Sequence, residues 1–138
     1  MNGKKILIVD DNQIILRALS RKIESSGYQA FTALDPAEGV AAVRREKPDL
    51  IVLDINFPPD VAHGGGVFSD GFQMIPWLRR MDEAKDTPII IITGTQGPSN
   101  KDRALQQGAC AFFQKPVDHD QLFAAIREAL HEEAAPNA

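Results

Sequence analysis

Three short apolar runs, each ending abruptly in oxygen-bearing side chains, constrain this chain more than anything else in it. Residues 5–9 run into Asp10 and Asp11, residues 50–53 end at Asp54, and four consecutive isoleucines at 89–92 end at Thr93. Aliphatic runs this short, without period-two alternation, are the pattern of strands covered on both faces, as in a parallel sheet. Parallel strands present the same end to the same edge. If the three lie side by side, their polar tips converge on Asp54, at the carboxyl edge where open α/β sheets do their chemistry.

The intervening segments alternate accordingly. Ile15, Leu16, Leu19 and Ile23 recur at helical spacing, and Gly27 closes that first helix. Residues 28–33 lean towards strand. Asp35-Pro36-Ala37-Glu38 joins a capping box to a proline at the first helical position, which predicts a second helix. It ends near Lys47-Pro48, because the residue before a proline avoids helical dihedrals. A third helix is predicted behind Asp70 and Gln73, with Phe72, Ile75, Leu78 and Met81 as apolar positions and Pro76 kinking it or delaying its start. Ser99 and Asp102 cap a short polar fourth helix ending at Gly108. Residues 111–114 form a fifth strand tipped by Lys115-Pro116. Asp118 and Gln121 open a last helix whose buried stripe is Leu122, Ile126, Ala129 and Leu130. Five strands alternating with five helices predict an α/β fold with right-handed crossovers and helices on both faces of a parallel sheet.

At 138 residues the chain fits one domain, expected over 1–131, and can bury roughly two thirds of its unfolded surface without a disulfide or metal staple. Residues 132–138 carry no fold signal and are expected to be disordered. The single cysteine, Cys110, excludes an internal bridge and is expected to be a small buried filler. A net charge of −4 without a basic cluster disfavours direct nucleic-acid binding. No apolar stretch approaches the ~20 residues of a membrane span, so a cytoplasmic protein without membrane contact is expected. His63-Gly64-Gly65-Gly66 is similar to an esterase oxyanion loop, but the Gly-x-Ser-x-Gly turn such enzymes need is missing. The same glycines fail the dinucleotide pattern, because Ser69 stands where the third glycine belongs.

Asp10, Asp11, Asp54, Thr93 and Lys115 are the residues that the predicted topology gathers at one edge. Three adjacent carboxylates repel one another unless a cation sits among them, and hard oxygen ligands favour Mg2+, with Mn2+ as the alternative. Lys115 offsets further negative charge and Thr93 offers a hydroxyl. Together these parts suit phosphoryl transfer to a carboxylate, with Asp54 as nucleophile and Thr93 and Lys115 stabilising the transferred oxygens. Asp10, Asp11 and Asn12 also stand where helix caps stand, so capping the first helix is open to each.

In combination, Asp10-Asp11, Asp54, Thr93-Gly94 and Lys115-Pro116 resemble the receiver domain of two-component response regulators, over residues 4 to about 130. The resemblance implies a flavodoxin-like (βα)5 doubly wound sheet of order 2-1-3-4-5. It implies that Asp54 accepts a phosphoryl group from a histidine kinase or histidine phosphotransfer protein, and that a switched surface then engages a downstream effector, as a monomer or a phosphorylation-dependent dimer. Asp11 and Asp54 would ligate Mg2+ directly, Asp10 through water, and Asn56 through its backbone carbonyl. Phe112 falls at the family's switch aromatic, and the Lys115-Pro116 bond would be cis. Self-phosphorylation and autodephosphorylation would be the only catalysis.

Two features depart from the family pattern. Residues 55–70 form a connection far longer than the ~2–6 residues usual in α/β units, and Phe112 replaces the more frequent tyrosine. Two other readings compete. Haloacid-dehalogenase-type phosphohydrolases use Asp-x-Asp on the first strand, whereas this chain has Asp54-x-Asn56 on the third. An unphosphorylated scaffold of the same fold would keep the sheet and not bind the cation. With nothing recognisable after the last helix, the chain is expected to be either a stand-alone receiver, the preferred reading, or the front end of a larger regulator.

Overall fold

A computed structural model describes residues 4–54, 74–93, 105–114 and 117–130. The elements run β1 (Lys5–Val9), α1 (Gln13–Ser25), β2 (Gln29–Ala33), α2 (Pro36–Glu46), β3 (Leu50–Asp54), α3 (Met74–Arg79), β4 (Ile89–Thr93), β5 (Ala111–Gln114) and α4 (His119–Ala129). All four strand pairings are parallel, and the sheet order is β2-β1-β3-β4-β5, as expected.

Strict alternation along each strand divides the core in two. Ile6 and Ile8 of β1, Leu50 and Val52 of β3, and Ile90 and Ile92 of β4 pack with Leu16, Leu19 and Ile23 of α1 and Leu122, Phe123 and Ile126 of α4. The odd-numbered neighbours Leu7, Val9, Ile51, Leu53, Ile89 and Ile91 pack with Ala42 and Val43 of α2 and Ile75 and Leu78 of α3. Leu50, Ile51, Val52 and Leu53 are all completely buried, which explains a run without polar alternation. Each such side chain contributes about 1.5–3 kcal/mol relative to an exposed one. Strand β2 lies at the edge and leaves Gln29 and Thr32 exposed.

Local signals fix the helix ends. The Asp35 carboxylate accepts the Glu38 N–H at 2.8 Å, while the Glu38 carboxylate reaches back to the Leu34 N–H at 3.2 Å, one residue beyond the usual partner. Lys47 ends α2 in the left-handed region, φ 52°, ahead of Pro48. Asp118 caps α4 through the Gln121 N–H at 3.1 Å.

Two expectations need correction. Met81 is not a helical position: α3 ends at Arg79, and the chain tightens into turns in which Arg80 N–H meets Trp77 O at 3.1 Å and Met81 N–H meets Leu78 O at 3.0 Å. The side chain is buried all the same, within the cluster under α2 and α3. Cys110 is exposed rather than buried, because its neighbour Ala109 is the residue turned into the core. The predicted fourth helix is described only from 105, where the chain turns at Gly108 (φ 98°). The long connection at 55–70, the onset of the third helix before 74, Pro116 and the tail at 132–138 lie outside the described residues. Among the described residues, no helix is long and apolar enough to cross a membrane.

Candidate functional site

Register brings the acidic residues together. Val9 pairs with Leu53 and Asp54 with Ile92, so Asp10, one step past Val9, comes level with Asp54 at the carboxyl edge. The Asp10 N–H donates to Ala33 O at 3.0 Å, carrying the pairing of β1 with β2 one residue past the strand. One carboxylate oxygen from each of Asp10, Asp11 and Asp54 lies within 4.8 Å of the other two. Asp10 is 0% and Asp54 1% exposed, while Asp11 faces solvent.

Asn12 takes the capping role that the sequence left open among three residues. Its side-chain oxygen accepts the N–H groups of Ile14 and Ile15 at 2.9 and 3.3 Å, and its backbone N–H donates to Asp10 Oδ1 at 2.8 Å. Sequence reasoning did not give Asn12 a part in the site. The available signal was its place directly before the apolar spacing of α1.

Two unit charges at that separation repel by roughly 3–4 kcal/mol at an effective dielectric of 20, and burial of two of the three adds a desolvation cost. A small divalent cation relieves both. Three hard, anionic oxygens with Asp11 open to water match Mg2+ or Mn2+, which keep part of their hydration shell. The donor set therefore fits such an ion, with Asp54 held at the end of a fully buried strand.

Thr93 is placed by its backbone as the last residue of β4, one step past the partner of Asp54, and it pairs with Gln114 of β5. Lys115 follows Gln114 directly in sequence and, like Asn56, lies outside the described residues. Phe112 is half-buried in β5, packed on the cluster under α2 and α3, while its neighbour Phe113 packs on the opposite face.

The family described as the response regulator receiver domain matches residues 6–127. Protein PilH of Pseudomonas aeruginosa is 34% identical over 126 residues, covering 91% of this chain and 97% of PilH. Transcriptional regulatory protein GlrR of Escherichia coli (strain K12) is 34% identical over 131 residues, 95% of this chain but only 27% of GlrR. The chain thus spans about a quarter of that longer relative. Among solved structures, a CheY-like response regulator receiver domain protein from Methanospirillum hungatei superposes with a TM-score of 0.79 at 30% identity, covering 93% of this chain and 94% of that one.

Proposed function

The chain belongs to the response regulator receiver family, phosphoacceptor switches of phosphorelay signal transduction, and from that premise we propose that Asp54 is its phosphoryl acceptor and that Asp10, Asp11 and Asp54 bind the divalent cation. The carrying observation is the meeting of three carboxylate oxygens within 4.8 Å, one of them on the buried end of the third strand. Asp10, Asp11, Asp54 and Asn56 would hold Mg2+, and Mn2+ would serve in its place. The ion supplies charge neutralisation for the transferring group.

An ionised Asp54 oxygen attacks phosphorus on a donor phosphohistidine. The P–N bond breaks, the imidazole leaves with the bonding pair and takes up a proton, and an acyl phosphate remains on Asp54. No general base is needed, since a carboxylate carries no proton to remove. Lys115 and Thr93 stabilise the phosphoryl oxygens, Lys115 as a point charge and Thr93 as a hydroxyl donor. Withdrawal of Thr93 towards the new group leaves room for Phe112 to pack inward, which changes the surface offered to an effector.

The donor is a histidine kinase or histidine phosphotransfer protein. A groove of about 460 Å³, lined among the described residues by Ile14, Ile15, Ala18, Val117 and His119 and others, opens beside the start of α1 and gives such a protein an apolar foothold. Ile14 is 78% exposed there. We take the domain to span 1–131, with the long connection at 55–70 following Asp54 in sequence. Hydrolase chemistry is disfavoured, because Asp54 ends β3 rather than β1 and Asn56 is no general acid.

Incubation with a small phosphodonor and Mg2+ tests the assignment by intact mass. Wild type should gain one phosphoryl group and Asp54→Asn none. Uptake by the variant at the wild-type level would overturn it, and no uptake by a wild type that also fails to bind Mg2+ would favour the scaffold.

A further inference from the structure

The first turn of α1 needs acceptors for its N–H groups, and three side chains able to serve precede it: Asp10, Asp11 and Asn12. Asn12 does the capping, with its Oδ1 on the Ile14 and Ile15 N–H groups at 2.9 and 3.3 Å and its carbonyl accepting the Leu16 N–H at 3.1 Å. Its own N–H meanwhile holds Asp10 Oδ1 at 2.8 Å. A carboxylate caps as well as a carboxamide and gains further from the helix dipole. The neutral residue in this place leaves both charges for the cluster.

We propose that Asn12 is a positioning residue for divalent-cation binding: by capping α1 itself, it keeps the Asp11 carboxylate with Asp10 and Asp54 instead of on the helix end. This rests on the acceptor-site reading above. Without the Asn12 side chain, the Ile14 N–H lies three residues beyond Asp11, within the reach of a capping side chain to the third helical N–H. Asp11 is exposed and not held by packing, so it turns onto that N–H, and the ion loses a ligand.

Titration with Mn2+, read as free Mn2+ by electron paramagnetic resonance, tests this on the full chain. Asn12→Ala should weaken binding about tenfold, the scale at which residues that orient metal ligands act. Asn12→Ser restores a capping hydroxyl and should return affinity to within about twofold of wild type. Asp35→Ala removes the cap of α2, whose carboxylate accepts the Glu38 N–H at 2.8 Å; it should lower the melting temperature comparably while leaving Mn2+ affinity unchanged. In an Asp11→Ala background, Asn12→Ala should cost no further affinity, because the ligand it diverts is already gone. Asn12→Ala with wild-type affinity, or with its full loss retained in the Asp11→Ala background, would overturn the proposal. A wild type that binds no Mn2+ would overturn the acceptor-site reading and this proposal together.

Discussion

The two edges of the sheet treat charge in opposite ways. At the amino edge, charged groups end on partners. Asp49 accepts the Lys5 N–H at 2.8 Å while its own N–H donates to Lys5 O at 2.7 Å, and Lys5 Nζ reaches Glu46 O at 3.2 Å. The Arg79 guanidinium donates to the carbonyls of Ala84, Thr87 and Gly108 at 3.0, 2.6 and 3.3 Å, joining the end of α3 to the turn before β5. Burial pulls its pKa below the usual arginine value, and nearby Asp86 offsets part of that. At the carboxyl edge, five or six residues away along the same strands, three like charges sit together. The amino edge is arranged to hold the fold, whereas the carboxyl edge brings like charges together at an electrostatic cost that a bound cation would lower.

Substitutions on the amino edge should therefore change stability and leave cation binding alone. Arg79→Met removes the donor to the carbonyls of Ala84, Lys85, Thr87 and Gly108 and should cost about 2–3 kcal/mol in urea unfolding, with Mg2+ affinity unchanged. A parallel loss of Mg2+ affinity would mean that the two edges are coupled. Gly108→Ala has a smaller expected effect. Added Cβ atoms there meet only the Arg79 guanidinium, at 3.7 and 3.8 Å, so the cost is that of a non-glycine residue at φ 98°, about 1 kcal/mol. A loss of more than about 2 kcal/mol would point to a broken Arg79 bond to Gly108 O as well.

Most of the carboxyl edge was legible in the sequence because it depends on strand ends, and a buried parallel strand advertises its own end. The apolar run at 50–53 stops at Asp54, and the isoleucines at 89–92 stop at Thr93; the structure ends β3 and β4 at these residues. The cap of α2 was equally readable, since Asp35, Pro36 and Glu38 act within one turn. The amino-edge bonds of Arg79 were not readable, because a side chain reaching carbonyls up to 29 positions away leaves no spacing pattern. Asn12 was ambiguous for a different reason: Asp10, Asp11 and Asn12 all have capping chemistry, and only geometry selects among them. Met81 kept its buried role while leaving its predicted helix, since a tight turn after Arg79 delivers the side chain to the same core. For Cys110, neither Ala109 nor Cys110 carries a pattern that says which one turns inward.

Thermal unfolding of wild type and Asp54→Asn, each with chelator and with saturating Mg2+, tests the contrast between the edges most directly. In chelator the variant should be the more stable of the two, by about 2 kcal/mol, because one of three mutually repelling carboxylates has been neutralised. Mg2+ at about a hundredfold its dissociation constant should stabilise wild type by about 2.7 kcal/mol and the variant by much less. A wild type whose unfolding is indifferent to Mg2+, together with a variant less stable than wild type in chelator, would contradict the account.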